Sequence, residues 1–281
     1  MNYLEAINIG SSILKFSKID SYRLDSEILL SSILNSTREK VLINQKKKLK
    51  LKNFQEYKRL LLRRKTKEPI AQILNNKEFW KLNFFINRNV LVPRPETELI
   101  VEELLNCIDL KSSKRILDIG TGSGCIIISA ITERPNCKGC AIDISKKALD
   151  VAKYNAKMHH IRNKIKFINK DIDKFIDNNY DFILSNPPYI KKFELKRLDG
   201  SVNNFEPHIA LEAGLDGFRE IKKIILKSKK LLKINGKLIF EIGNKQINKS
   251  MLYLNKYGFY INKVIKDLNS FPRVIVATNK F

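Results

Sequence analysis

Long hydrophobic runs are missing from this chain. No stretch approaches eighteen consecutive apolar residues, so a membrane-spanning helix is not expected. Cysteine is scarce: four in 281 residues cannot frame a disulfide scaffold, which makes a reducing cytoplasm the expected compartment. The opening Met1-Asn2-Tyr3-Leu4-Glu5 lacks the basic region and apolar run of a secretory leader. Acidic residues are few, 29 against 53 Lys and Arg, for a formal charge of +24. That excess favours an anionic partner such as RNA or a ribonucleoprotein. Yet lysine, asparagine and isoleucine also stand where arginine, glutamine or valine would serve, so compositional drift explains the charge equally well. What is present is ample apolar material: 43% hydrophobic residues fill one large domain or two moderate ones.

Residues 1–75 read as a helical domain. Leu4, Ile7, Ile13 and Leu14 give one apolar face, and Leu24, Ile28, Leu29 and Leu30 a second, which Asp20-Ser21 is placed to cap. A third helix is expected from about Asn53 to Lys67. Thirteen Lys or Arg against three acidic residues lie between Arg38 and Glu68, either a face for a phosphate-rich partner or a solvated surface. Pro69 is expected to end the helical part. Residues 76–96 then read as a β-hairpin linker, extended over Phe79–Ile86 and turning at Asn87-Arg88-Asn89. A helix follows from near Thr97, its first turns rich in Glu.

From Arg115 apolar strands alternate with amphipathic helices. The strands are expected at 115–118, 139–143, 166–169, 180–184, 237–241, 260–266 and 273–277. Helices are expected at 125–133, 146–158, 217–233 and 245–257. This order predicts an α/β fold, a largely parallel seven-stranded sheet with an antiparallel edge, occupying residues 97–281. Binding residues belong at the carboxyl ends of such strands. The 191–213 loop is long for its place and is a candidate substrate lid.

Two stretches carry chemistry. In Ser185-Asn186-Pro187-Pro188-Tyr189 an apolar strand delivers one amide side chain, two prolines and a ring to one point. The prolines stiffen the turn and leave carbonyls exposed, and Asn186 offers an acceptor and a donor. Such a corner suits gripping a planar NH₂ group. Earlier, Asp118-Ile119-Gly120-Thr121-Gly122-Ser123-Gly124 joins a strand to a helix. There Gly120 and Gly122 permit a tight turn and ligand approach, and Gly124 close packing. Asp143, ending the next strand, can accept from a ribose diol, and Asp171-Ile172, closing the third, can bracket an adenine. Asp118 orienting its loop, or Asp143 capping the following helix, are the structural alternatives. NAD and S-adenosylmethionine both fit these sites. The glycine spacing departs from the dinucleotide pattern, no nicotinamide-handling group is evident, and an amide-gripping corner lies where a methyl acceptor belongs, all of which favour methyl transfer. No metal is implied: Cys137-Lys138-Gly139-Cys140 has no second ligand pair. His159 and His160 read as surface residues, and His208 sits in the candidate lid.

In these stretches and several others the chain resembles the bacterial release factor N5-glutamine methyltransferases. The resemblance runs over Asp25–Leu30, Val92-Pro93-Arg94-Pro95-Glu96-Thr97-Glu98, Asp118–Gly124, Asp143–Ser145, Ser185–Tyr189, Phe205–Leu211, Gly214–Gly217, Glu241-Ile242-Gly243 and Gln246. It implies a Rossmann-like class I S-adenosylmethionine-dependent methyltransferase sheet behind a small helical substrate-recognition domain. The implied cofactor is S-adenosyl-L-methionine, with S-adenosyl-L-homocysteine as product. It would be held by Gly120, Thr121, Gly122, Ser123, Gly124, Asp143, Asp171, Ile172 and Asn186. The substrate glutamine, from the Gly-Gly-Gln motif of peptide chain release factors 1 and 2, would be held by Asn186, Pro187, Pro188 and Tyr189, with Asn186, Pro187 and Tyr189 catalytic. The expected enzyme is a cytoplasmic monomer, with weak nucleic-acid or ribosome contact through its basic surface and no membrane contact. The runner-up is an adenine-N6 methyltransferase on DNA or RNA, which would use the same corner on a flipped base. Ile172 stands where other members carry an aromatic residue. The 268–272 segment lacks the glycine usual there, leaving its loop shape open.

Overall fold

A reciprocal cap starts the chain. The Asn2 side chain accepts from the Glu5 backbone N–H at 2.9 Å while the Glu5 carboxylate accepts from that of Asn2 at 3.0 Å, satisfying two donors a helix start leaves orphaned. The computed structural model describes residues 1–280 and falls into two units: 1–76 with 199–205, and 77–198 with the residues from Glu206 onward.

The first unit is helical: Tyr3–Phe16, Tyr22–Ile33, Arg38–Ile43, Leu51–Lys65 and the single turn Ile70–Ile73. Ile7, Leu14, Leu29, Leu30, Tyr57 and Leu61 meet in its core. A buried polar seam crosses it. The Ser26 hydroxyl donates to the Ile7 carbonyl at 2.8 Å and lies 2.6 Å from the Tyr57 hydroxyl. Asp25 and Glu27 accept from Arg64 and Arg38, each at 2.7 Å. Some arginines of the basic run therefore turn inward to buried carboxylates, while Lys46, Lys47, Lys48, Lys50 and Lys52 are exposed. Two expectations need correction. Ser21 stands at the cap of the second helix, but its hydroxyl donates to Asp25 instead of receiving a backbone N–H. Pro69 starts the last short helix where it was expected to end the helical part. Residues 199–205 complete the unit: Lys67 pairs with Asp199 at 3.3 Å, and the Gln72 amide donates to the Phe205 carbonyl at 2.9 Å.

The second unit opens with a hairpin, β1 (Lys77–Phe79) and β2 (Leu82–Phe84). Its turn falls at Trp80-Lys81, both at positive φ (48° and 62°), not at Asn87–Asn89. This is the two-residue geometry that matches strand twist, here without its usual glycine or asparagine. Glu98 accepts from the Trp80 backbone N–H and Glu133 from its indole N–H, at 2.9 and 3.0 Å, which holds the unfavourable conformation. A second turn does occur at 87–90, but Val90–Val92 is not a strand.

Seven strands follow: β3 (Arg115–Ile119), β4 (Lys138–Asp143), β5 (Ile165–Asn169), β6 (Tyr180–Ser185), β7 (Leu232–Glu241), β8 (Phe259–Lys266) and β9 (Pro272–Asn279), in the spatial order β5-β4-β3-β6-β7-β9-β8. The first five run parallel. The last strand, β9, inserts between β7 and β8 and is antiparallel to both. Helices Cys125–Glu133, Lys146–Met158, Arg219–Leu231 and Ile247–Lys256 lie in crossovers between these strands, and Glu98–Asn106 leads into β3. Leu117, Ile119, Ile142, Ile183 and Leu238 pack on Ile221, Ile224, Ile225 and Leu254. The alternate residues Ile116, Ala141, Leu184 and Ile239 are buried as well, as a sheet covered on both faces requires.

Candidate active site

Strand register decides where the polar loops meet. Ile119 pairs with Ile142 on one side and Ser185 on the other, and Asp143 pairs with Asn169. The carboxyl ends of β5, β4, β3 and β6 thus lie side by side. They open onto a cavity of about 410 Å³, within the range of small-molecule sites.

Gly120, Gly122, Asp143, Asp171, Ile172, Asn186, Pro187 and Pro188 line it. Gly120 has φ 71°, and a Cβ added there would meet nothing within 4 Å, so its backbone faces open space. The Asp143 carboxylate accepts from Gly122 N–H at 2.9 Å and Ser145 N–H at 2.8 Å. It therefore shapes the glycine loop and starts the next helix, and each oxygen keeps a lone pair for a ligand. Burial raises its pKa, opposed by those two N–H groups. Asp171 accepts from Asp173 N–H at 2.8 Å.

Thr121, Ser123 and Gly124 do not line the cavity. The Thr121 hydroxyl donates to Asp118 at 2.6 Å, and burial pushes that carboxyl up to about 7. The Ser123 carbonyl accepts from the wholly buried Asn155 at 2.9 Å. Gly124 abuts Ile128 and Ala152, where a Cβ would come within 2.8 Å of the Ile128 side chain. These three support the loop from beneath.

At the end of β6 the Asn186 amide nitrogen donates to Thr97 Oγ1 at 2.9 Å, and the Thr97 hydroxyl donates to Glu241 Oε2 at 2.7 Å. Among the described residues, none donates a hydrogen bond to Asn186 Oδ1 or to the Pro187 carbonyl. Two acceptors at the cavity wall are therefore available to a ligand. Tyr189 does not line the cavity. Its ring lies against Gly243, where a Cβ would approach Tyr189 Cδ2 to 2.9 Å, and its hydroxyl faces Glu241, which with burial raises the phenol pKa. Gln246 donates to the carbonyls of Tyr189 and Gly217 and accepts from Gly243 N–H.

The 191–213 loop is closed at its base, with Ile190 N–H donating to Leu211 O at 3.0 Å and Ala213 N–H to Ile190 O at 2.8 Å. Its returning part brings Pro207, His208, Ile209 and Ala210 to the cavity.

Comparison with known proteins gives the family. Residues 5–74 match the PrmC N-terminal domain and residues 97–199 the methyltransferase small domain. A release factor glutamine methyltransferase of Buchnera aphidicola subsp. Baizongia pistaciae is 38% identical over 94% of this chain and 95% of its own length. The chain belongs to the release factor glutamine methyltransferase family. The namesake of Clostridium acetobutylicum is 34% identical over 99% of this chain and 98% of its own. The bifunctional methyltransferase of Rickettsia typhi is 36% identical over 96% of this chain but only 56% of its own length, so this chain spans about half of those larger relatives. Among solved structures, a Pyrococcus furiosus methyltransferase superposes with TM-score 0.54 over 80% of this chain and 98% of its own at 19% identity. The ribosomal protein L11 methylase of Lactobacillus delbrueckii subsp. bulgaricus gives 0.52 over 70% and 84% at 18%. The fold is the Rossmann-like class I methyltransferase sheet.

The roles of Thr97 and Glu241 are not legible in the sequence. Thr97 sits inside a quoted motif, yet only the tertiary pairing of 97, 186 and 241 shows what its hydroxyl does.

Proposed function

We propose that this chain transfers a methyl group from S-adenosylmethionine to the side-chain amide nitrogen (N5) of the glutamine in the Gly-Gly-Gln motif of peptide chain release factors 1 and 2. The observation that carries the reading is the pair of unengaged acceptors, Asn186 Oδ1 and the Pro187 carbonyl, at the wall of a cavity that also exposes Gly120 and Asp143. The residues present fit the cofactor: an open glycine backbone, a carboxylate with lone pairs to spare for a ribose diol, and apolar Ile144 and Ile172 for an adenine. Bound there, it supplies an activated sulfonium methyl.

The amide nitrogen is a weak nucleophile because its lone pair is delocalised into the carbonyl. Asn186 Oδ1 and the Pro187 carbonyl accept its two hydrogens, which shifts density toward nitrogen and fixes the line of attack. With the cofactor held there, its methyl would pass to the amide nitrogen, the S–C electron pair would remain on the departing neutral thioether, and one amide proton would leave to solvent. The relatives' names favour glutamine over adenine as acceptor. Mass spectrometry of release factors 1 and 2 after incubation with the protein and methyl-labelled cofactor tests the reading. One added methyl on the Gly-Gly-Gln glutamine is expected. Label on adenine in DNA or RNA with both factors unmodified would overturn it.

A further inference from the structure

An asparagine amide is nearly symmetric in shape, so nothing in its own outline decides which end meets a ligand. The choice matters here, because a ligand NH₂ needs an oxygen, and the Asn186 NH₂ turned the other way would oppose donor to donor. The neighbours settle it. Glu241 is buried, 2% exposed, at the end of β7. As an ionised carboxylate it only accepts, so the Thr97 hydroxyl, 2.7 Å away, must spend its single hydrogen on it. Thr97, also 2% exposed, then has only lone pairs for Asn186, whose amide nitrogen lies 2.9 Å from it. Oδ1 is thereby left to the cavity.

We infer that Thr97, oriented by Glu241, is a positioning residue that sets the polarity of the Asn186 amide and so makes the pocket select a ligand that donates hydrogens. The inference rests on the proposed methyl transfer and deepens it. It assigns Glu241 no contact with substrate. It also gives Tyr189 a task away from the cavity, since its hydroxyl faces the same carboxylate.

The chain of donors has a definite response to protonation. A protonated Glu241 would donate to Thr97, the threonine hydrogen would swing toward Asn186, and the amide would turn its NH₂ to the cavity. Burial pushes this carboxyl up to about 7, against the Thr97 and Tyr189 hydroxyls and Arg273, with Glu96 adding to the rise. Those are the titratable and charged groups that face it. Activity dependent on this relay should therefore fall as pH drops through about 7.

The test compares Thr97→Ser, which keeps the hydroxyl, with the near-isosteric Thr97→Val, which removes it. Expected is a kcat for release factor methylation within about threefold of wild type for Thr97→Ser. Thr97→Val should lose roughly 10- to 100-fold in kcat, with the S-adenosylmethionine Kd changed less than about threefold as the check on folding. Thr97→Val matching wild type in kcat would overturn the inference, as would equal losses in both variants. If Thr97→Val does not fold, the pH profile decides: wild-type kcat should fall with unit slope below about pH 7 and Glu241→Gln should show no such step. A flat wild-type profile would overturn the inference. Wild type failing to label release factor at any pH would sink the proposed function itself, before any variant is compared.

Discussion

Arg94 and Glu206, 112 positions apart, are joined by an ion pair: Arg94 Nη2 lies 2.7 Å from Glu206 Oε1. The Glu206 side chain is 1% exposed and also accepts from Val92 N–H at 3.4 Å. The pair ties the Pro-Arg-Pro-Glu-Thr-Glu segment to the loop that returns to the cavity through Pro207–Ala210. Burial raises the Glu206 pKa, and the Arg94 guanidinium beside it is the main force opposing that rise.

Removing the arginine leaves a buried carboxylate with one weak backbone donor. Arg94→Ala should therefore cost about 1–3 kcal/mol of stability, read from the urea midpoint at constant slope. In a Glu206→Gln background the same substitution should cost much less, because no buried charge is abandoned. Additive losses would mean the pair is not coupled.

Asp143 holds the glycine loop as well as facing the cavity, so Asp143→Ala conflates two losses. Asp143→Asn keeps one acceptor oxygen and removes the charge. We expect roughly 10-fold weaker S-adenosylmethionine binding for Asp143→Asn and a further loss for Asp143→Ala, where Gly122 and Ser145 N–H groups lose their acceptor. Calorimetry on the folded variants checks this. Unchanged affinity in both would remove Asp143 from the cofactor site.

Glu241 carries a thermodynamic cost with a definite sign. Its folded pKa, about 7, lies above the ordinary carboxylate value because burial disfavours the charge. The folded state therefore binds the extra proton between about pH 4.5 and 7. The stability from this group is fully present below the unfolded pKa and lost as pH rises through 7. Glu241→Gln should be more stable than wild type at pH 8, by up to about 3 kcal/mol, and no more stable at pH 4. Thermal unfolding at both values checks it: an unchanged difference across the range would exclude ionisation of Glu241 as the cause. The form needed to orient Thr97 is the less stable one.

The exposed Lys46, Lys47, Lys48, Lys50 and Lys52 offer the plainest test of the basic surface. If they steer an acidic or phosphate-rich partner, changing them together to Gln should raise KM for intact release factor a few-fold at low salt and leave the cofactor Kd alone. The gap should close at high salt. Identical KM values at low salt would assign the run to composition alone.

Periodicity exposed most of this architecture because the signals were local. The helices 125–133 and 146–158 were legible to the residue, since apolar spacing and flanking strands agree. The glycine loop, Asp143 and Asn186 were legible as motifs, and the sheet order brings their strand ends together. Much of what stayed hidden depends on distant partners. The Trp80-Lys81 turn has no glycine or asparagine and is held by Glu98 and Glu133. Thr121, Ser123 and Gly124 look like ligand contacts in sequence, but their neighbours turn them into supports. At 268–272 the shape left open by the missing glycine is supplied by Ser270 at φ 65°, while Asp267 accepts from Asn269 and Phe271 N–H groups and from Arg273. There the partners are local, two, four and six residues from Asp267, but no glycine marks the residue that takes the positive φ.

The assignment of residues 199–205 to the first unit has a consequence for biosynthesis. A chain emerging from its N-terminus makes the five leading helices first, yet the Asp199 partner of Lys67 and the Phe205 partner of Gln72 come only after residues 77–198 have been made. The helical unit therefore cannot reach its final form early in translation. A chain cut after Asn76 would hold the leading helices without their closing segment. The polypeptide crosses between the units three times, so removing either one by a single cut leaves part of it behind.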